Sequence, residues 1–199
     1  MAPGMPPTRP DDQRSIQSRP SIGATPSRVT AMTTERPEVL RRRAARVILL
    51  DEADHVLMIH GFNPVTPQQS YWYSLGGGLD DGENPLEAAV REVWEETGLR
   101  LDPAALVGPL REETVVFPFD GREIHQEQVF YAARTRRFAP VPAAFQELEV
   151  ASTLTIDWID PRALDQVAQV VYPPFLLELV DALVAIEAAT SAPTSQNWL

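Results

Sequence analysis

Glu92, Glu95 and Glu96 stand three and four residues apart, with Arg91 immediately before them. On a helix, side chains at those intervals are neighbours, so the three carboxylates crowd one patch. Like charges at that spacing destabilise a helix unless positive charge sits among them. A hard divalent cation that takes oxygen ligands, Mg2+ or Mn2+, meets that need. Arg91 adds a planar fork able to fix a carboxylate by a bidentate bond. Glutamate-rich helix faces are otherwise ordinary solvated surface, so the chemistry depends on what flanks them.

The flanks supply a loop, a helix and a stop. Asn84 is a good N-cap, Pro85 sits at the first helical position, and Gly98 is the usual residue just past a helix end. The spacing predicts a helix over residues 85–97. Leu86, Ala89, Val90, Val93 and Thr97 repeat as a buried stripe, with the glutamates expected on another face. Upstream, residues 71–75 read as a strand that delivers the chain to Gly76-Gly77-Gly78. Three glycines let a backbone turn tightly and approach a ligand or metal closely.

Taken together, Gly77, five residues, Glu83, seven residues, Arg91-Glu92, apolar Val93, one residue, Glu95-Glu96, one residue, Gly98 and apolar Leu99 resemble the signature box of the Nudix hydrolases. The resemblance is strong over the box and looser over about residues 43–189. It implies an α/β fold, an α/β/α sandwich with a central mixed β-sheet and the box as a loop–helix–loop. It also implies hydrolysis of a nucleoside diphosphate linked to another group X. Carried over by position, Glu92, Glu95 and Glu96 would be metal ligands, with the Gly77 carbonyl as a further ligand. Arg91 and Glu83 would orient them. Leu75 stands where the family commonly has proline.

The general base stays open among Glu92, Glu127, Glu147 and Glu149. Glu147-Leu148-Glu149 falls in a loop before the strand expected at 153–159, where the family often carries such a residue. Substrate contacts are sought at Trp72, Tyr73 and Tyr131 for stacking, at Arg111 for phosphate, and at the Gly76 and Gly78 backbone. Phe62, Phe117, Arg134, Arg136 and Arg137 are weaker candidates. Nucleoside triphosphate, ADP-ribose, dinucleoside polyphosphate and capped RNA are not distinguished by the sequence. The rival reading is a Nudix-like module that binds a nucleotide without turnover. Such modules usually lose a box glutamate, and this chain retains them all.

Composition narrows the classes further. The 199 residues contain no cysteine, which excludes disulfides, zinc–thiolate sites and thiol catalysis. Up to Arg46 there are nine Arg against four acids, whereas residues 47–199 carry eight Arg and 24 acids, a formal charge of −16. That acidity argues against broad binding of a nucleic-acid backbone and favours a small nucleotide substrate. No apolar run is long enough to span a bilayer, so no membrane partner is expected and a cytoplasmic location is. A homodimer is compatible with the sequence.

The organisation expected is a Pro/Arg-rich disordered tail at 1–40, one domain at 41–189, and a short tail at 190–199. Translation from Met32 is an alternative to a start at Met1. Within the domain, residues 44–51 and 55–60 read as a β-hairpin. Residues 105–119 and 122–134 flank the turn Asp120-Gly121, and residues 161–169 read as a short helix. Leu176, Leu179, Val180, Leu183 and Ile186 mark an amphipathic closing helix.

Overall fold

The computed structural model describes residues 37–166 and 168–191. Of the tails expected at 1–40 and 190–199, residues 1–36 and 192–199 lie outside the described residues, and residues 190–191 belong to the last helix. The first strand, β1 (Val39–Leu50), begins inside the segment assigned to the N-terminal tail. Its pairing also corrects the expected hairpin. β1 meets β2 (Val56–Phe62) in register only at Leu50 and Val56, where the turn closes. Along its whole length β1 instead pairs in parallel with β5 (Arg122–Arg134). A strand whose last four residues are buried on both faces needs a partner along its length.

β2 runs away from β1 and pairs antiparallel with β3 (Ser70–Ser74) on one side and β6 (Thr153–Ile159) on the other. β4 (Val107–Phe119) pairs antiparallel with β5, and β7 (Val170–Tyr172) pairs in parallel with β3. The sheet is therefore mixed, with β1 and β2 splayed apart beyond their common turn. Asp120 and Gly121, both at positive φ, make the β4–β5 turn that their sequence predicts. The helix expected at 161–169 is only a three-residue 3₁₀ turn, Leu164–Gln166, followed by β7. The adjacent β-branched residues Val170 and Val171 favour the extended form there.

One face of the sheet carries α1 (Pro85–Thr97), with Ala88, Ala89 and Val93 against Val47, Leu49 and Ile59. The other carries α3 (Leu176–Ser191), with Leu179, Val180 and Leu183 against Ile48, Leu50 and Phe130. Alternation along β1 assigns odd residues to the α1 side and even residues to the α3 side. The result is the α/β sandwich expected. Residues 147–149, expected as loop, open a short helix, α2 (Glu147–Ser152), because Gln146 and Glu149 form a reciprocal capping box. No helix among the described residues is long and apolar enough to cross a membrane.

Candidate active site between the glycine segment and helix α1

Residues 75–79 leave β3 and run antiparallel to β1. Val47 N–H donates to the Leu75 carbonyl, Ala45 N–H to Gly77 and Leu79 N–H to Arg43, at 2.9–3.0 Å. The segment lies where β1 and β2 part. Gly76 has φ +115°, and a Cβ there would stand 2.1 Å from the Ala45 carbonyl oxygen. At Gly77 a Cβ would meet the Glu92 carboxylate at 2.6 Å. Only a bare backbone admits both close approaches.

Helix α1 supplies the carboxylates. Asn84 accepts from the N–H groups of Leu86 and Glu87, and Gly98 closes the far end, as the sequence predicts. The burial differs from expectation. Glu92 and Glu96 are buried, 5% and 3% exposed, on the same side as Ala89 and Val93 rather than on a separate face. The reason is the glycine segment, which covers that end of the helix. Gly76 N–H donates to Glu96 Oε2 at 2.8 Å. Burial, and after it the charge of Glu92, raises the Glu96 carboxyl well above the ordinary range, with the Gly76 amide opposing. Burial likewise pushes Glu92 up to about 6, against the pull of Arg91.

Arg91 organises the rim. Its Nε and Nη2 donate to the two Glu83 oxygens at 2.9 and 2.8 Å, a bidentate fork. Nη1 donates to Glu92 at 2.8 Å and Glu95 at 3.1 Å, and Nη2 to the Gly78 carbonyl at 2.8 Å. Hydrogen bonds from Arg91 hold the Glu83 carboxyl below its usual range. One guanidinium thus ties the loop to two successive turns of the helix.

The third carboxylate comes from α2. Glu92, Glu96 and Glu149 each offer an oxygen within 4.8 Å of the others. Glu149 also accepts from the Gln146 N–H at 2.8 Å, which fixes the turn that carries it. Three carboxylate oxygens with two of the groups buried form an all-oxygen donor set suited to Mg2+ or Mn2+. Glu95 is not in this group and is half-buried on Arg91. Glu147 is exposed, as is Glu127 on β5. The Gly77 carbonyl accepts from Ala45 and retains a second lone pair.

The substrate candidates separate. Tyr73 lies deep, its hydroxyl pKa raised by burial first and the Glu96 charge second. Trp72 stacks on His60, ring centres 4.5 Å apart. Tyr131 is buried among the α1-side core. Arg111 lies 3.7 Å over the Phe175 ring and pairs with Glu178 at 3.1 Å, at the α3 end. Gly76 and Gly78 flank the carboxylates. The run Arg41-Arg42-Arg43, a candidate phosphate contact from sequence and expected ahead of the first strand, lies inside β1, whereas Arg46, Gln126 and Gln128 were passed over.

Comparison with known proteins follows this geometry. A family model described as NUDIX domain matches residues 40–177. A stretch of 29 residues, 15% of this chain and 17% of the relative, is 62% identical to an RNA pyrophosphohydrolase of Rhizobium meliloti (strain 1021). A stretch of 69 residues, 32% of this chain and 40% of the relative, is 39% identical to an RNA pyrophosphohydrolase of Mesorhizobium japonicum. The chain therefore spans well under two thirds of the length of these relatives. Among solved structures, the E. coli dihydroneopterin triphosphate pyrophosphohydrolase is similar with a TM-score of 0.52 and 17% identity, over 72% of this chain and 95% of that one. That likeness speaks to the fold.

Proposed function

The chain belongs to the Nudix family, and from that premise we propose that it is a divalent-metal-dependent pyrophosphohydrolase acting on a nucleoside diphosphate linked to another group. The observation that carries the reading is the convergence of Glu92, Glu96 and Glu149 within 4.8 Å, beside a glycine segment whose bare backbone packs directly against the Glu92 carboxylate. Glu92, Glu96 and Glu149 would hold Mg2+ or Mn2+. Such an ion, when bound, neutralises phosphate charge and polarises phosphorus toward attack.

The chain's own residues do the rest. The Gly76 N–H and the Arg91 fork fix Glu96 and Glu92, so that their lone pairs converge without reorganisation. Glu149 combines a place in the cluster with partial exposure, which suits a general base within reach of solvent. As the water oxygen bonds to phosphorus, its proton passes to that carboxylate and the anhydride P–O bond breaks, leaving two phosphate-bearing products. The formal charge of −16 over residues 47–199 favours a small nucleotide over a long polymer. RNA, on which the relatives act by name, is the second substrate to test.

The experiment is a phosphate-release screen over nucleoside diphosphate derivatives and 5′-triphosphorylated RNA, with Mg2+, Mn2+ or EDTA. Turnover of at least one small nucleotide, abolished by EDTA, is expected. Full activity in EDTA would overturn the mechanism.

A further inference from the structure

Among the described residues, five arginines are half-buried: Arg42, Arg46, Arg91, Arg122 and Arg134. Arg91, Arg122 and Arg134 each pair with a carboxylate. Arg42 and Arg46 form no ion pair there. A guanidinium withdrawn from water without an anion is costly, and folded proteins normally supply the partner. Burial first, and the Arg46 charge next, push Arg42 down to about 10, with Glu92 opposing. The pair therefore lies close enough to feel each other and the edge of the carboxylate cluster.

The two arginines occupy even positions of β1, on the sheet face that α3 covers only at its other end, over Ile48 and Leu50. Four residues of strand separate their Cα atoms by about 13 Å, and long side chains can converge from that distance on one diphosphate. Arg46 donates through Nη1 to the carbonyl of Gly76, the same residue whose N–H holds Glu96. Arg42 stands directly opposite Gln126 and donates to it through Nε at 2.7 Å. Gln126, fully buried, donates to Gln128 at 2.7 Å, and Gln128 donates to Glu113 at 2.6 Å. This chain grips Arg42 from behind by Nε alone. Its two Nη groups have no partner among the described residues and are not sealed from solvent.

We propose that Arg42 and Arg46 are a phosphate-binding pair outside the carboxylate cluster, which grips phosphate oxygens of the substrate, and that Gln126, Gln128 and Glu113 are positioning residues that aim Arg42. The inference rests on the pyrophosphohydrolase reading for its substrate but concerns binding, so the two are separable. Planar guanidinium forks match phosphate geometry, and a relay of amides ending in a carboxylate strengthens the hold on Nε and so fixes the orientation of the fork.

The probe is methylenediphosphonate, which mimics a diphosphate and is not hydrolysed, titrated calorimetrically in excess Mg2+. Arg42→Gln is expected to weaken binding at least tenfold and to raise KM for the nucleotide. Gln126→Glu gives Arg42 a buried carboxylate, so it should weaken binding at least fivefold while the melting temperature stays level or rises. A merely structural arginine would show no such opposition between stability and binding. Should Arg42→Gln fold poorly, Gln126→Glu decides alone. Binding within twofold of the wild type in Gln126→Glu, or in well-folded Arg42→Gln, overturns the proposal. Weakened binding in a chain that hydrolyses no nucleotide keeps the pair and removes the hydrolase reading, whereas hydrolysis with undiminished binding in the variants does the reverse.

Discussion

Arg91 holds Glu83, eight residues earlier in the chain, by two roughly parallel hydrogen bonds of 2.9 and 2.8 Å. The same guanidinium reaches Glu92, Glu95 and the Gly78 carbonyl, so four groups depend on one planar fork. A lysine keeps the charge and loses the fork. Arg91→Lys should therefore lower kcat/KM about 10–100-fold, the usual cost of losing a residue that orients metal ligands. Steady-state kinetics at saturating Mg2+ would check it, and an unchanged kcat/KM would refute the role.

Glu96 is buried beside Glu92, with the Gly76 amide and Arg46 opposing the repulsion. Replacing it with glutamine keeps an acceptor for Gly76 and removes one of two crowded charges. In EDTA, Glu96→Gln should melt roughly 3 °C or more above the wild type, the scale of 1 kcal/mol in a domain of this size. In Mg2+ that advantage should shrink or reverse, and activity should fall by orders of magnitude. A calorimetric pair of scans, with and without metal, reads both effects.

Glu149 and Glu147 lie two residues apart, yet only Glu149 approaches Glu92 and Glu96. Glu149→Gln should cut kcat about 10²–10⁴-fold, the range for loss of a general base. Glu147→Gln should stay within threefold of the wild type. Equal losses in both would return the base to a glutamate of α1.

Away from the site, Asp51 is 1% exposed at the β1–β2 turn and accepts from the N–H groups of Ala53 and His55 at 2.8 and 2.9 Å. Burial pushes its carboxyl up, but those amides, His55 and Arg137 more than offset it and hold the pKa below the ordinary value. A carboxyl depressed in the folded state contributes stability above its unfolded pKa and loses it as pH falls through the folded pKa. Asp51→Asn should cost about 1–3 kcal/mol at pH 7, the scale of hydrogen bonds to a charged group. The gap from the wild type should close as pH drops below about 4. Urea titrations at pH 7, 5 and 3.5 would show it, and a pH-independent gap would refute it.

The order of residues alone determined the ends of α1 and β6 and the identity of the box. Asn84, Pro85 and Gly98 delimit α1, and residues 153–159 form β6 with the predicted ends, because caps, turns and strand alternation act over a few residues. Spacing within one helix also brought the box glutamates together. Tertiary structure alone decided which of them meet. Glu92 and Glu96 are buried because the glycine segment, held along β1, covers that side of the helix. Glu149 arrives from about fifty residues downstream because β6 pairs with β2 and aims α2 back at the box. β1 found its partner in β5, not across the nearest turn, since its both-sided burial needed a full-length neighbour. Arg42 became a half-buried cation held in place only when β5 set Gln126 opposite it. Nothing in the local sequence of either strand records that register, because it is fixed by packing between residues 84 positions apart.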